Sequence, residues 1–527
     1  MSKFIRFKVS NWVEGVIAAF MILSSSMSIA QSLKPGPQPR TFVSDIDKTE
    51  QPYNLFVPTA AADGKPVPLV IALHGHGATW ESWFKGTKVC EWAEKEGYAV
   101  LCPHGRGNYF YLSIGETDVW EALADVTKIL PIDEDRIYLI GHSMGGWGTW
   151  NLAASKPDVF AAIVPMSSWA PLDLLGNVEY LNPLFIHGDN DPAVDVQRSR
   201  DADAELTKLG IAHKYIELPG VGHESSMISD MLPTIGDWIR DKRRKKEPAK
   251  ITINTYTYRR ARMWWLGASG FSGPGQIIHF DATVGPGTIM LHEDKEGLKP
   301  DSIRFFPGEV YIDLANSIFD SQRQAKIDVD VFGGDYSGTV FGTSDLIAKK
   351  METIVTAHYT LPSPPFSWPS TPLSPVIAKA VTPADHVTDA IAAMILADAK
   401  VDAVLMSPSM FLPTSPTGDI NYDDMFDYVA RLGGVTRENE GSGVFKITGA
   451  TLKEKLADQK DWKPTWWENV KFYPEGEIDD AKEYTVLVPP PLLPTFKKFF
   501  GKADPIDAKI RDLRQIIMEA VVRKKEL

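Results

Sequence analysis

Cysteine is nearly absent from this chain of 527 residues, which contains only Cys90 and Cys102. Two cysteines cannot supply the four thiolates of a structural zinc site, and they allow at most one disulfide. We predict Cys90 on a helix and Cys102 at the end of a strand, separated by EWAEKEGYAVL. An exported protein would permit a disulfide, but these positions favour two buried, unpaired thiols.

An excess of positive charge is also lacking. The chain has 55 lysines and arginines against 68 aspartates and glutamates, and its formal net charge is -13. Such acidity argues against nucleic acid and anionic membranes as general partners, because both repel a negative surface. A local basic patch is still compatible with this net charge.

Long apolar runs are missing as well. The N-terminal segment carries Lys3, Arg6 and Lys8, followed by the apolar run VIAAFMIL and then SMSIA. This run is shorter than the roughly 20 residues that a membrane-spanning helix needs, which disfavours the alternative of an uncleaved anchor. The pattern predicts a secretory signal peptide over residues 1–30, cleaved after Ala30, and therefore a secreted or periplasmic protein with no membrane association after cleavage.

A chain of this length is expected to form about three domains. Residues 41–247 alternate continuously apolar runs with helical segments, which is typical of a parallel sheet covered by helices on both faces. The runs are PLVIALHG, YAVLCPHG, RIYLIG, AAIVPMS and PLFIHG, and helices are expected near residues 80–96 and 117–129. The first predicted domain is thus α/β with a mostly parallel sheet.

The rest of the chain has a different pattern. Residues 249–345 hold short β-rich runs separated by Gly, Pro, Asn and Asp, which predicts a sandwich or barrel. Residues 361–378 are a proline-rich linker. Residues 379–527 predict an α+β domain, in which VTDAIAAMILADAKVDAVLM and DPIDAKIRDLRQIIMEAVVRKKEL are interpreted as helices.

The stretch LIGHSMGGWGTW places Ser143 between glycines directly after an apolar strand. A serine hydroxyl is a poor nucleophile at neutral pH, so it needs a base within hydrogen-bond reach and a carboxylate that orients this base. Gly141 and Gly145 allow a sharp strand-to-helix turn that lifts the hydroxyl out of the sheet. The motif by itself also fits an ordinary turn, so the surrounding sequence has to decide.

Suitable partners follow in the chain order serine, aspartate, histidine. Asp191 lies in the loop DNDPAV just beyond the strand PLFIHG, at the carboxyl edge of the sheet, and Asp189 and Asp195 are the alternatives. His223 follows the short strand KYIEL and precedes a helix expected to begin at Glu224. This position favours a catalytic base over a solvent-exposed loop histidine.

Acyl transfer also needs two donors for the developing oxyanion. We predict the backbone N–H of Met144, at a helix start, and the backbone N–H of His76 in the segment HGHG. His74 and His76 are alternatively metal ligands, but the sequence offers no obvious third ligand, and the glycines serve close backbone approach. We expect neither a metal nor a cofactor.

As an ordered set, LHGHG, PHGRG, IDEDRIYLIGHSMGGWGTW, IHGDNDPAV and GVGH resemble the α/β-hydrolase superfamily. The resemblance covers roughly residues 60–240. It is specifically to bacterial esterases related to polyhydroxybutyrate depolymerases and to the catalytic domain of prolyl oligopeptidases. It implies Ser143 as nucleophile, Asp191 as orienting acid and His223 as base.

The spacing of these motifs indicates an open site. The 47 residues between Ser143 and Asp191 accommodate a helix, two strands and a short connection but no large cap, and too little chain precedes the first strong strand for a gating domain. An open site suits an ester on a bulky, polymeric or carbohydrate-linked carrier better than a gated peptide. Four aromatic residues are candidates for its lining, with core packing as the alternative for each: Phe110, Tyr111, Trp147 and Trp169.

The last region carries a second resemblance. ADAKVDAVLMSP, PTGDINYDDMFDYV, GVFKITGATLKEKLAD and EYTVLVP look like the carboxyl-terminal domain of the 5'-nucleotidase family, which holds the nucleoside base in those enzymes. The family's Asn-Gly-Gly-x-Arg loop is replaced by SPSMFLPTSP near Phe411, and its metallophosphatase half has no counterpart. Nucleotide hydrolysis is therefore not expected.

The β-rich region is similar to accessory domains that follow such hydrolases. Its aromatic residues are candidates for stacking on sugar rings, with a sandwich core and packing on the hydrolase as the simpler alternative: Tyr256, Tyr258, Trp264 and Trp265.

The leading hypothesis is an exported serine hydrolase that cleaves carboxylic esters through an acyl-enzyme. A serine peptidase of the prolyl oligopeptidase class is the alternative among enzymes. A nucleoside- or glycan-binding protein that keeps the hydrolase fold as a scaffold is the alternative from another class. The acyl group, the alcohol and the oligomeric state are not determined by these patterns.

Overall fold

The structure is a computed structural model. It describes residues 33–246, 248–257, 259–264, 266–268, 275, 277–285, 288–293, 303–305, 327–328, 376–382, 386–413, 419–430, 442–457, 470–493, 496 and 512–527. The predicted signal peptide (1–30) and residues 361–375 of the predicted linker lie outside these residues.

Eight strands form the central sheet in the order β1-β2-β4-β3-β5-β6-β7-β8. Their bounds are β1 (Gly36–Val43), β2 (Glu50–Val57), β3 (Val67–Leu73), β4 (Ala99–Pro103), β5 (Ile132–His142), β6 (Ala162–Met166), β7 (Leu184–Gly188) and β8 (Lys214–Leu218). The pairs β1·β2 and β2·β4 are antiparallel, and all other neighbours are parallel. The predicted α/β domain with a mostly parallel sheet is confirmed.

Strands β1 and β2 precede the first strand that the sequence pattern indicated. β1 has the sequence GPQPRTFV and alternates exposed with partly buried residues. Its two prolines are tolerated because β1 is the edge strand and needs hydrogen bonds on one side only. The continuous apolar pattern of the buried parallel strands is therefore missing from β1.

Six helices of this domain are α1 (Ser82–Gly86), α2 (Val89–Glu96), α3 (Ile114–Ile129), α4 (Met144–Ser155), α5 (Gln197–Lys208) and α6 (Ser226–Ile239). The single helix expected near residues 80–96 is wrong. The Thr87 hydroxyl accepts a hydrogen bond from the Val89 N–H at 3.1 Å, so a second helix starts there. The helix expected from Glu224 begins two residues later, at Ser226.

The sheet is buried on both faces, as strand β3 shows. All seven of its residues are buried, and successive side chains enter two different apolar clusters. Leu69, Ile71 and Leu73 pack in one cluster, whereas Val70 and Ala72 pack in the other. Because successive strand residues point to opposite faces, a strand between two helical layers has to be apolar throughout.

The two cysteines are free, in agreement with the prediction. Cys90 lies on α2 and is half-buried, whereas Cys102 lies on β4 and is buried. Burial raises the pKa of the Cys90 thiol to about 12 and raises the pKa of Cys102 well above its ordinary value. Both side chains are therefore protonated, unreactive thiols at neutral pH.

Short strands continue beyond the hydrolase-like domain. They are β9 (Lys250–Thr255), β10 (Arg262–Met263), β11 (Leu266–Ala268), β12 (Ile278–Gly285), β13 (Thr288–Glu293), β14 (Ile303–Phe305) and β15 (Ile327–Asp328). They form two sheets, β10-β11-β14-β15 and β13-β12-β9. The boundaries proposed for this domain, 249–345, remain a prediction.

The last region contains strands β16 (Val376–Lys379), β17 (Ala403–Met406), β18 (Asp419–Asn421), β19 (Gly443–Thr448), β20 (Lys471–Tyr473) and β21 (Glu483–Val488). Its helices are α7 (Val387–Ala399), α8 (Tyr422–Val429), α9 (Gly449–Ala457) and α10 (Leu513–Lys524). Across the described segments, no helix has both the length and the apolarity needed to cross a membrane.

The sequence predicts one helix that continues through VDAVLM, and this prediction is wrong for the VDAVLM segment. α7 stops at Lys400, whose φ of 52° is left-handed, and VDAVLM then contributes the buried strand β17. β17 lies between β21 and β20 in a four-stranded sheet. A short apolar run fits a buried strand and a buried helix equally well, so only the pairing partners distinguish them.

Asn177 joins the hydrolase-like domain to the following β region. Its side-chain amide donates to the backbone oxygens of Ala154 and Asn254, each at 2.8 Å, and its oxygen accepts from the Asn254 N–H at 2.7 Å. Asn177 is buried, so these three bonds satisfy backbone groups that have no access to water.

We expect Asn177→Leu to lower the free energy of unfolding by about 3 kcal/mol, because it leaves buried backbone groups unpaired. Asn177→Asp should be at least as damaging, since a carboxylate oxygen would face two carbonyl oxygens. Urea unfolding followed by circular dichroism measures both. Wild-type stability in the Asn177→Leu variant would contradict this account of the junction.

Candidate active site

Ser143 stands on a sharp turn between β5 and α4. Its φ of 58° and ψ of -119° lie in a region that non-glycine residues rarely adopt. Such a conformation costs about 1–3 kcal/mol and persists only where the surroundings impose it. Here the Ser143 N–H donates to the Met166 backbone oxygen at 2.9 Å, which ties the turn to strand β6.

The neighbouring glycines are required by close backbone contacts. A Cβ on Gly141 would overlap the backbone oxygen of Gly145, and a Cβ on Gly145 would overlap the backbone oxygen of Leu73. Both positions therefore exclude every residue with a side chain unless the backbone moves. The glycine spacing predicted an elbow, and the structure shows that α4 packs directly on β3 and β5 at this point.

The structure brings the three predicted residues together. His223 Nε2 lies 2.9 Å from Ser143 Oγ, and His223 Nδ1 lies 2.6 Å from Asp191 Oδ2. An ionised Asp191 can only accept, so the Nδ1–H donates to it and leaves Nε2 as the acceptor for the serine hydroxyl. This is the hydrogen-bond order that a serine nucleophile needs.

Asp191 is held as an anion by four donors. Its Oδ1 accepts from the backbone N–H groups of Ala193 and Val194 at 2.8 Å each. Its Oδ2 accepts from His223 and lies 3.3 Å from His187 Nε2. Burial by itself would raise the pKa of Asp191, but the hydrogen bonds from His187 and His223 outweigh burial and hold this pKa below its ordinary value.

His187 is a residue that the sequence interpretation missed. It is fully buried at the end of β7, with Nδ1 2.7 Å from the Ser199 hydroxyl and Nε2 3.0 Å from the Val194 backbone oxygen. Because a backbone oxygen can only accept, Nε2 carries a hydrogen, and this N–H also faces the Asp191 carboxylate. The signal was its place in IHGDNDPAV, four residues before Asp191 and on the same strand end.

The alternative carboxylates lie elsewhere. Asp189 accepts from the Gly220 N–H at 2.6 Å and fixes the loop after β8. Asp195 accepts from the Gln197 N–H at 2.9 Å at the start of α5. Of the three aspartates, Asp191 is the one whose carboxylate bonds to His223.

His142 is a second imidazole beside the predicted base. Its ring centroid lies 4.9 Å from that of His223. Burial, with the neighbouring His223 as a smaller cause, lowers the pKa of His142 to about 3. His142 is thus neutral at physiological pH and adds no cation that would oppose protonation of His223.

Of the two predicted oxyanion donors, Met144 directly follows the serine. Met144 is the first residue of α4, so its N–H has no partner within the helix. A Cβ on Gly75 would lie 3.5 Å from the Ser143 Cβ, which places the HGHG segment against the nucleophile. The N–H of His76, next in the chain, remains the predicted second donor.

The side chains of His74 and His76, the alternative metal ligands, contact other parts of the protein. Both ring nitrogens of His74 lie 2.9 Å from backbone oxygens, those of Gly75 and His104. The ring of His76 lies 5.8 Å from that of Phe110. Within the described residues, no group of three or more His, Cys, Asp or Glu side chains is arranged to hold a metal ion.

Three of the predicted lining residues form one aromatic cluster. Trp147 lies one helical turn after Ser143 on α4, and its ring stacks on Trp169 at 5.5 Å. Phe110 lies 6.4 Å from Trp169. Both tryptophans are partly exposed, whereas Phe110 is 4% exposed. We call Phe110, Trp147 and Trp169 the aromatic wall.

Tyr111 is not part of this wall. It is fully buried, and its hydroxyl donates to the His74 backbone oxygen at 3.1 Å. The tyrosine is a core residue that supports the HGHG segment, which is the alternative considered for it from the sequence. Its positive φ of 55° reflects the turn in which it lies.

Two aromatic residues of the β-rich region, Tyr256 and Trp264, are partly buried by contacts with other parts of the protein. Tyr256 stacks on Phe426 at 5.0 Å, and its hydroxyl donates to Asp173. Trp264 contacts Tyr180 edge-on at 5.7 Å. These contacts agree with packing on the hydrolase rather than with a sugar platform. The other two candidates, Tyr258 and Trp265, lie outside the described residues.

Comparison with known proteins identifies related enzymes. Residues 68–179 match the family model described as the alpha/beta hydrolase fold. A probable feruloyl esterase C of Aspergillus terreus is 26% identical over 208 residues, which is 38% of this chain and 75% of that protein. Cutinase 1 of Thermobifida cellulosilytica is 35% identical over 92 residues, which is 18% of this chain and 34% of that protein.

A peptidase is similar over a shorter share of its length. Prolyl endopeptidase FAP of Mus musculus is 30% identical over 134 residues, which is 22% of this chain and 18% of that protein. The family match ends at residue 179. The resemblance of residues 379–527 to the 5'-nucleotidase carboxyl-terminal domain therefore stays a prediction.

Asp191→Asn should lower the turnover number by about 10⁴-fold with any substrate of Ser143, because an amide cannot hold His223 in the tautomer that accepts the serine proton. The matched control is Asp195→Asn, whose side chain lies in the same loop and accepts from the Gln197 N–H at the start of α5 instead of from His223. We expect it to stay within about threefold of wild type. Equal losses in both variants would refute the assignment of Asp191. Steady-state kinetics measure both.

Proposed function

We propose that this chain, which is a serine hydrolase of the alpha/beta hydrolase fold, cleaves carboxylic esters through an acyl-enzyme on Ser143. The observation that carries the proposal is the continuous hydrogen-bond line from Asp191 through His223 to Ser143, with 2.6 and 2.9 Å separations. The names of the homologous feruloyl esterases and cutinases support ester cleavage.

The proposed mechanism has two halves. As Ser143 Oγ attacks the ester carbonyl carbon, His223 Nε2 takes the hydroxyl proton, and the oxyanion binds to the N–H groups of Met144 and His76. The tetrahedral intermediate collapses, and the alcohol leaves with the proton from His223. Water then attacks the acyl-enzyme and gives a proton to His223 Nε2. The second tetrahedral intermediate breaks its bond to Ser143 Oγ, which takes this proton back from His223, and the carboxylic acid is released.

We propose an aromatic acyl group as the preferred substrate part. The aromatic wall offers two stacked, partly exposed indole rings, one of them a helical turn after the nucleophile, and flat rings pack favourably on such a surface. The name of the Aspergillus terreus relative, a probable feruloyl esterase, agrees with this preference.

The open access to the site favours a large alcohol part. Between Ser143 and Asp191 the chain forms only α4, β6, a 3₁₀ helix at Leu172–Val178 and β7, so this segment has no cap. We propose a polymeric or carbohydrate-linked carrier for the acyl group. We also propose export, which is based on the N-terminal pattern of residues 1–30 and would bring the enzyme to such carriers.

Peptide cleavage is the second candidate activity, since the mouse peptidase shares part of this sequence. Ester cleavage is favoured because the probable feruloyl esterase matches over 75% of its own length and the cutinase over 34%, against 18% for the peptidase. A pure binding role is disfavoured by the complete hydrogen-bond line at Ser143, which binding does not require.

Ser143→Ala should abolish both the hydrolysis of 4-nitrophenyl acetate and covalent labelling by a fluorophosphonate, because the attacking oxygen is lost. Mass spectrometry of the labelled wild type should locate the adduct on the peptide that contains Ser143. Ser225→Ala, which changes a serine close in sequence to His223, is the control and should label normally. Labelling of Ser143→Ala at the wild-type rate would overturn the proposed nucleophile.

Trp169→Leu should lower kcat/KM for 4-nitrophenyl cinnamate about tenfold more than for 4-nitrophenyl acetate, because the two esters share a leaving group and differ only in the acyl part that meets the aromatic wall. Trp264→Leu is the control, since its ring packs on Tyr180 instead. An unchanged cinnamate-to-acetate ratio in Trp169→Leu would remove the aromatic preference but not the proposed esterase activity. A preference for proline-containing peptides over both esters would instead favour the peptidase.

A further inference from the structure

We propose that Asp427, on helix α8 of the last region, is a positioning residue for ester hydrolysis: it holds the loop of residues 109–113 that shapes the acyl side of the active site. The inference rests on the proposed esterase function. It assigns to the C-terminal region a role in completing the site, in place of an independent ligand-binding role.

The loop has an unusual backbone conformation. It is the last part of the connection from β4 to α3, and Phe110, Tyr111 and Ser113 have positive φ values of 57°, 55° and 50°. Each such residue costs about 1–3 kcal/mol relative to an unstrained backbone. A loop with three of them in four positions keeps its shape only if contacts from outside the loop hold it there.

Helix α8 supplies one of these contacts. The Ser113 backbone N–H donates to Asp427 Oδ2 at 2.9 Å, across 314 residues of sequence. Asp427 is 1% exposed, so water does not compete for this hydrogen bond. Charge strengthens it, because a carboxylate is a better acceptor than a neutral oxygen.

Arginines that follow β9 hold Asp427 in place. Arg260 Nη1 lies 3.0 Å from Asp427 Oδ1, and its Nη2 donates to Glu116 Oε2 on α3 at 2.5 Å. Arg259 lies 3.6 Å from Asp427 and donates to Asp424 at 2.7 Å. Arg260, Glu116 and Asp427 are all buried, so removal of any one leaves an uncompensated charge.

These bonds fix a geometry more than they add stability. A buried ion-pair cluster gains little net free energy over apolar packing, since desolvation opposes the attraction, but its directional bonds allow few arrangements. Here the allowed arrangement joins three parts of the chain: α3 next to the loop, the segment after β9, and α8. The position of α8 is thereby linked to the position of the loop.

The loop contacts both the HGHG segment, which contains the predicted oxyanion donor His76, and the other residues of the aromatic wall. The Phe110 ring lies 5.8 Å from His76 and 6.4 Å from Trp169. The Tyr111 hydroxyl donates to the His74 backbone oxygen at 3.1 Å. A Cβ on Gly148 would overlap the Tyr111 ring, so the loop also packs tightly on the helix that begins after Ser143. A shift of the loop therefore moves the wall on which the acyl group packs.

The test compares two substitutions of the same carboxylate in the full chain. Asp427→Asn keeps an acceptor oxygen at the same distance from the backbone but removes the charge. Asp427→Glu keeps the charge but displaces the acceptor by one methylene. Asp424→Ala is the control on the same helix, since Asp424 pairs with Arg259 and is 40% exposed at its side chain.

The measured quantity is the ratio of kcat/KM for 4-nitrophenyl cinnamate to that for 4-nitrophenyl acetate, with active sites counted by fluorophosphonate titration. A merely destabilised variant has fewer active sites but an unchanged ratio. We expect Asp427→Glu to lower the ratio about tenfold, Asp427→Asn to keep it within about threefold of wild type, and Asp424→Ala to leave it unchanged. Where Asp427→Glu yields no titratable sites, Asp427→Ala replaces it with the same expected loss.

Three results would overturn the proposal. They are an unchanged ratio in both Asp427→Glu and Asp427→Ala, an equal loss in Asp427→Asn and Asp427→Glu, and an equal loss in Asp424→Ala. If the wild type is labelled at Ser143 but hydrolyses neither ester, the proposed esterase function is refuted, while the positioning role of Asp427 is still open to test. The ratio of labelling rates by an aryl and a small alkyl fluorophosphonate then replaces the ester ratio and tests the same loop.

Discussion

The turn at Ser143 imposes the constraint on which the site depends. A serine at a φ of 58° between a buried strand and a helix is stable only where the helix can approach the sheet at backbone distance. This approach explains the glycines at 141 and 145, whose replacement would force backbone atoms together. It also starts α4 directly after the nucleophile, so that the Met144 N–H has no intrahelical partner.

The electrostatics around this turn are set by one anion. Asp191 is surrounded by donors and stays ionised, whereas His142 is buried and neutral. His223 lies between this carboxylate and the serine, so the charge of Asp191 stabilises an imidazolium that forms on His223 during reaction. Such an environment is prepared for an imidazolium that forms during reaction, and it requires no rearrangement of charged groups at that moment.

Much of this site was predictable, because its parts are encoded by short local signals. The triad residues each follow a strand, and parallel strands bring their carboxyl ends to one edge of the sheet. The residues that were missed act through long-range contacts. His187 supports Asp191 from within a buried strand end, and Asp427 reaches Ser113 across 314 residues. Tyr111 was placed among candidates for the site lining, yet its side chain is buried and supports the HGHG segment from below.

The sequence by itself determined the α/β architecture and the order of nucleophile, acid and base, because both depend on local patterns: continuous apolar strands, glycines at a sharp turn and polar residues just beyond strand ends. Only the tertiary structure decided which of Asp189, Asp191 and Asp195 meets the histidine, since three aspartates within seven residues have the same local signal. It also decided the partners of the C-terminal region. Buried ion pairs such as that of Arg260 with Glu116 and Asp427 have no sequence periodicity, and they exist only because folding removes three distant segments from water together.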